Sequence, residues 1–194
     1  MRCGTFDLVL DRSFFARSTL RVARELIGCV LVHEVRGRRR AGRIVETEAY
    51  DGFRDAASHA HRGPTSRNAP MFGPPGRAYV YLIYGVHHCL NLVTREPGYP
   101  AAVLIRALEP ADERLGPCHG PGRLTRALGI DLRHDGLELC TPSSRLYVEP
   151  AAMRCRVART PRIGVDYAGA WAEKAWRFVD PASRHLSVKL GRRR

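Results

Sequence analysis

An α+β architecture built on a largely antiparallel sheet is expected for this sequence, on three grounds. Short apolar runs of strand length follow one another along most of the chain. Only two stretches carry apolar residues near helical spacing. Strands in a row with few helices between them make a mixed, mainly antiparallel sheet rather than a parallel one. The length of 194 residues admits one large domain or two small ones.

The elements are expected in this order. Residues 13–27 read as a helix, with Phe14, Leu20, Ala23, Leu26 and Ile27 near helical spacing, Ser13 or Ser18 as cap and Gly28 as terminator. CVLVHEV and RIVETEAY are strands joined by RGRRRAG, a basic turn. Residues 51–77 are loop-like and rich in Gly, Pro, Asn, Arg and His; a loop this long in a compact chain is functional or disordered, and its polar donors favour function. AYVYLIYG and HHCLNLV are strands around a Tyr84–Gly85–Val86 turn, and AAVLIRAL is a buried strand. GPGRLTRALGI turns into a short helix. LELCT, SRLYVEP and RCRVARTPRIGV carry the last strands before a basic tail at 192–194.

Composition narrows the function classes. No stretch of about 18 apolar residues exists to span a membrane, and the N-terminal MRCGTFDLVLDRSFF has acidic residues and no apolar run, unlike a secretory signal. Lys plus Arg is 32 against 19 Asp plus Glu, a net charge of +13, which recruits polyanions, nucleic acid first among them. A high-GC genome explains Arg in place of Lys but not basic over acidic. The six cysteines form no C-x-x-C pair, so they read as free buried thiols rather than zinc ligands. No G-x-x-x-x-G-K-[ST], G-x-G-x-x-G or G-x-S-x-G is present, which leaves nucleotide triphosphate use and serine hydrolysis without support.

In GRIVETEAY, strand alternation puts Ile44, Glu46, Glu48 and Tyr50 on one face and Val45, Thr47 and Ala49 on a core face. The two carboxylates then stand about 7 Å apart. They are either solvated strand glutamates, paired with Arg43, or an acid–base site able to deprotonate a water. Tyr79 and Tyr81 share a face, as core aromatics or a base-stacking platform, while Tyr84 breaks register and lands at the turn, where a large aromatic stays exposed unless it inserts into something. His59 and His61 lack a third ligand, and the zinc-deaminase pattern is missing, so they read as hydrogen-bonding histidines and no metal is expected. Of His87 and His88, one is expected to point inward as a satisfied core polar group.

The motifs ARELIGCVLV, GRIVETEAYDG, DAASHAHRGPTSRNAPMFGPPGRAYVYLIYG, HHCLNLV, AAVLIRALEP, GPGRLTRALGI and TPRIGVDYAGAWAEKAWRF, in this order over about 14–187, together resemble the alkyladenine (3-methyladenine, or N-methylpurine) DNA glycosylase family. The resemblance implies a single glycosylase domain over 1–194, with a curved antiparallel sheet flanked by helices and a protruding β-hairpin that inserts into DNA. It implies base-excision repair: an alkylated or deaminated purine, of the 3-methyladenine, 7-methylguanine, hypoxanthine and ethenoadenine class, is flipped from double-stranded DNA and its N-glycosidic bond hydrolysed by water. Flipping is physically required, because a stacked base blocks the chemistry. Glu48 matches the general base, Arg106 an arginine holding the water and Glu48, and the Ile163 carbonyl a third water contact. Tyr50 and Tyr81 match aromatics sandwiching the base, His59 a histidine bonding it, Asn91 an asparagine crowding a 2-amino group, and Tyr84 the wedge at the hairpin tip. Glu46 is expected to be a supporting or structural carboxylate. The family pattern implies a monomer without cofactor or metal, working in the bacterial cytoplasm on the nucleoid. The stretch 111–119 is short against the family, and 188–194 lies beyond the match.

With only Lys174 and Lys189 present, neither placed beside Glu48, a lysine Schiff base is not expected, and water is the nucleophile. The rival classes are a non-catalytic nucleic-acid-binding module, which has no use for a Glu48–Arg106 water site, and a free-nucleoside hydrolase, which has no use for Tyr84 or the +13 charge.

Overall fold

The computed structural model describes residues 9–191 apart from Pro142 and Arg154. Cys3 and the basic tail at 192–194 lie outside the described residues. The expected α+β architecture is present: among the described residues, eight strands form one curled, antiparallel sheet with three short α-helices. No described helix is long and apolar enough to cross a membrane.

Two helices replace the one expected over 13–27: α1 (Arg12–Phe15) and α2 (Thr19–Glu25). The Phe15 carbonyl accepts from the Arg95 N–H across the fold, so it is lost to the helical ladder and α1 stops. Asp11, in extended geometry, caps α1 through its side chain, and Ser18 opens α2 without a side-chain cap bond. Gly28, at φ 96°, turns the chain into β1 (Val30–Val35).

The basic turn shrinks to Arg36–Gly37, both at positive φ as a two-residue I′ hairpin turn demands; the following arginines already belong to β2 (Arg38–Asp51). Then come β3 (Ala78–Ile83), β4 (His87–Val93), β5 (Ala101–Pro110), α3 (Pro121–Leu128), β6 (Leu146–Glu149), β7 (Ala158–Thr160) and β8 (Arg177–Val179). LELCT is not a strand, contributing only a bridge from Glu138 to Arg77, and RCRVARTPRIGV yields just the three residues of β7. The sheet runs β3-β4-β5-β2-β1-β6, and β8 joins β2 beyond the end of β1, at Glu46–Glu48.

The β2–β5 ladder decides the site. Ile44 pairs with Leu108, Glu46 with Ala107 and Thr47 with Ile105, leaving Val45 unpaired on one strand and Arg106 on the other. Each strand carries one extra residue, so the two bulges cancel and the register is the same on either side. The strict alternation expected here is thereby overturned at its start. Ile44 and Ala49 both join the main core, with Phe15, Leu26, Leu90, Ile105 and Phe178, while Val45 joins a small cluster with Ala107, Val179 and Leu186. On the core face, Thr47 donates to the Ala23 carbonyl of α2.

Between the end of β2 and the Arg77 bridge, the long segment expected to be loop is held by side chains rather than by a ladder. Asn68 donates to the His59 and Gly63 carbonyls, and Asp55 accepts from the Ala57 N–H. The five described cysteines are free; Cys29, Cys89 and Cys118 are buried, Cys140 and Cys155 half-buried. His87 is exposed and His88 half-buried, so neither is the expected core histidine.

Candidate active site

Glu46 and Glu48 project from the bulged part of β2, and both are 0% exposed. The solvated-glutamate alternative is thus excluded, and Arg43 pairs instead with Glu109 and Asp180. Buried carboxylates need partners. Arg106, the extra residue of β5, reaches both: its Nε lies 3.2 Å from Glu46 Oε1 and its Nη1 3.2 Å from Glu48 Oε2. Burial opposes the Arg106 charge, but the two carboxylates outweigh it and hold the guanidinium protonated.

Glu46 also accepts from Arg177 Nε at 2.7 Å, the Ser187 N–H at 2.6 Å and the Ser187 hydroxyl at 2.7 Å. Glu48 accepts from the Tyr50 hydroxyl at 2.9 Å and the Ile163 N–H at 2.8 Å. Ile163 thus meets Glu48 through its N–H; the carbonyl expected to matter lies in the next peptide. Burial, and then the Glu48 charge, push the Tyr50 hydroxyl well above the usual phenol range, so it stays a donor.

The three groups holding Glu48 all line one cavity of about 240 Å³. Its walls include Tyr50, Tyr81, His59, Asn91 and Met71, and Tyr84 stands at its rim. This volume falls below the roughly 300–1,000 Å³ of drug-sized sites and suits one flat ring system. The structure therefore gathers every side chain expected at the site, with Glu48 just behind the lining. Tyr81 and Asn91 face the cavity because β3 and β4 alternate regularly, with Val80, Leu90 and Leu92 in the core.

His59 Nδ1 lies 2.9 Å from the Tyr79 hydroxyl, and its ring stands edge-on to Tyr81 at 4.5 Å between centroids. Burial, aided by Arg67, lowers its pKa, which keeps it neutral at pH 7. Asn91 is buried and donates to the Tyr79 carbonyl at 3.1 Å, a bond that fixes its amide. Tyr84 is 87% exposed at the tip of the β3–β4 hairpin. The turn closes by Val86 N–H to Ile83 C=O, with Tyr84 at φ 53° and Gly85 at φ 70°. Gly takes such a φ freely; in a bulky residue it costs about 1–2 kcal/mol.

Several contributors lay outside the sequence expectations. Arg162 is buried in a bidentate pair with Asp55 at 2.6 and 2.8 Å, donates to the Ala49 carbonyl, and stacks 4.8 Å from the Tyr50 ring centre. It anchors the segment presenting Ile163. Arg177 and Ser187 fasten Glu46, and Arg67 lies over Tyr81 at 5.1 Å. These partners sit up to 141 residues from the groups they hold, where no local pattern can reveal them.

Comparison with known proteins gives the family. Residues 13–184 match the family model described as methylpurine-DNA glycosylase (MPG). Relatives named "Putative 3-methyladenine DNA glycosylase" include one from Anaeromyxobacter dehalogenans (strain 2CP-C), 57% identical over 92% of this chain and 86% of its own. Others come from Myxococcus xanthus (strain DK1622), 54% identical over 92% and 93%, and Methanocella arvoryzae, 50% identical over 93% and 96%. The chain belongs to the methylpurine-DNA glycosylase family.

Proposed function

We propose that residues 1–194 act as one monofunctional DNA glycosylase domain in base-excision repair, flipping an alkylated or deaminated purine from duplex DNA into the 240 Å³ cavity and hydrolysing its N-glycosidic bond. The observation that carries this reading is Glu48: a solvent-sealed carboxylate whose three holders all line an aromatic-walled cavity. The names of its relatives point the same way.

In this reading the flipped purine lies between Tyr50 and Tyr81. Neutral His59 accepts a hydrogen bond from the Tyr79 hydroxyl at Nδ1 and offers its Nε2–H to the nucleotide. A water held by Glu48, Arg106 and the Ile163 carbonyl loses a proton to Glu48 as its oxygen bonds to C1′. The bond from C1′ to the purine nitrogen breaks, and its electron pair leaves with the base. Asn91, its amide fixed by Tyr79, crowds the 2-amino group of a normal guanine. Tyr84 fills the space left in the stack. Glu46 positions Arg106.

The test is release of free base from a duplex oligonucleotide carrying hypoxanthine or a methylated purine, in excess chelator and with borohydride present. The expected product is an intact abasic strand with no enzyme–DNA adduct. A trapped adduct overturns the water mechanism. Binding without release leaves a non-catalytic binder, and release from free nucleosides alone leaves a nucleoside hydrolase.

A further inference from the structure

A second concavity lies outside the cavity, and half of the residues lining it are arginines. It encloses about 1,040 Å³ between the start of β2, the 111–117 loop and α3. Arg38, Arg39, Arg40, Arg114, Arg123 and Arg126 line it, against one acid, Asp112. Local partners occupy some of these: Arg39 pairs with Glu149 and Arg114 with Asp112, Arg40 donates to the Ala127 carbonyl, and Arg123 bonds His119. Arg38 and Arg126 have no ion-pair partner among the described residues, and both are exposed, as is Arg123. Concentrated unneutralised arginine in a groove is what a chain of phosphates binds, since guanidinium groups match phosphate oxygens bidentately.

The groove is tied rigidly to the site. Pro121, the first residue of α3, lines the cavity, and Gly122 packs so tightly on His87, directly after the hairpin turn, that a Cβ there would lie 2.9 Å from the His87 Cβ. Arg123 and Arg126 follow on the same helix, roughly 3–8 Å further along its axis. The ladders agree. The start of β2 pairs with the end of β5 at Gly42–Pro110, and β4 runs antiparallel to β5, so Arg38–Arg40 and the hairpin tip lie at the same end of the sheet. Two strand spacings, roughly 10 Å, separate them.

We propose that this arginine groove grips the sugar–phosphate backbone of the duplex on one flank of the lesion, about three base pairs from the flipped nucleotide at 3.4 Å per step. The proposal rests on the glycosylase reading for what enters the cavity, but the grip itself is independent of lesion and sequence. It holds the helix axis steady while the hairpin opens the stack.

The test uses lesion-centred duplexes with either flank cut back in steps past the third base pair, to about one. It compares the full chain with the variant Arg38→Gln/Arg123→Gln/Arg126→Gln, all at exposed positions. The native protein is expected to lose affinity when one particular flank is shortened, and the variant to be indifferent to that cut. On the long duplex, the slope of log binding constant against log salt should become shallower by about 3. Arg126→Glu alone should reproduce the flank effect, which keeps the test sound if the triple variant melts early. Equal flank dependence and equal salt slope in native and variant proteins overturn the proposal. If the native protein releases no base from any lesion yet shows the arginine-dependent flank effect, the groove stands and the glycosylase reading falls.

Discussion

Glu46 and Glu48 sit two residues apart on one strand, equally sealed from solvent, yet their surroundings differ in kind. Glu46 is saturated by Arg177, Arg106 and both polar groups of Ser187, and of these only Arg106 reaches the cavity. Glu48 is held by Tyr50, Arg106 and Ile163, and all three line it. Burial alone therefore does not mark a reactive carboxylate. The direction its partners face does.

Removing the proton acceptor should give the largest effect. Glu48→Gln keeps the shape and most hydrogen bonds, and single-turnover excision is expected to fall by about 100- to 10,000-fold with little change in melting temperature. Near-native excision would end the comparison. Glu46→Gln should divide the two readouts the other way. It strips a charge from between buried Arg177 and mostly buried Arg106, a change that costs about 3–5 kcal/mol. At about 2–4 °C per kcal/mol for a chain of this length, calorimetry should show a drop of roughly 6–20 °C, with more excision retained than in Glu48→Gln. If Glu46→Gln melts normally and is inactive, the two roles are exchanged.

The rim above Glu48 gives a smaller effect. Tyr84→Ala should weaken lesion binding by about 1–3 kcal/mol, and more for a stably paired lesion than for a poorly paired one. Equal loss on both would make the exposed tyrosine a bystander. Asn91→Ser should give the subtlest change, raising excision of guanine relative to hypoxanthine by up to about 1–3 kcal/mol in the ratio. Both rates falling together would show that the Asn91–Tyr79 bond only closes the hairpin.

The sheet, the β3–β4 hairpin and the off-register Tyr84 were legible because each rests on local signals: alternation, strand length and a Tyr–Gly turn. Alternation also put Glu48 with Tyr50 correctly. It misplaced Ile44 and Val45 because a bulge is a relation between two strands, and nothing in GRIVETEAY announces the extra residue facing it in LIRAL. The helix over 13–27 failed for a similar reason: its break depends on Arg95, eighty residues from Phe15. The Asp55–Arg162 pair and the β8 contact to Glu46 are equally non-local.

The cancelling bulges bear on how this strand can change length. Losing one residue from β2 alone would put it out of phase with β5 and swing Ile44 and all before it to the wrong side. Losing one from each strand, Val45 and Arg106, would leave every remaining partner in order: Ile44 with Leu108, Glu46 with Ala107, Thr47 with Ile105. Such a doubly shortened chain keeps an unbroken ladder but loses the cation joining its two acids. Insertions and deletions here are thus tolerated only in matched pairs, and the spare residue on β5 is the one that reaches both carboxylates.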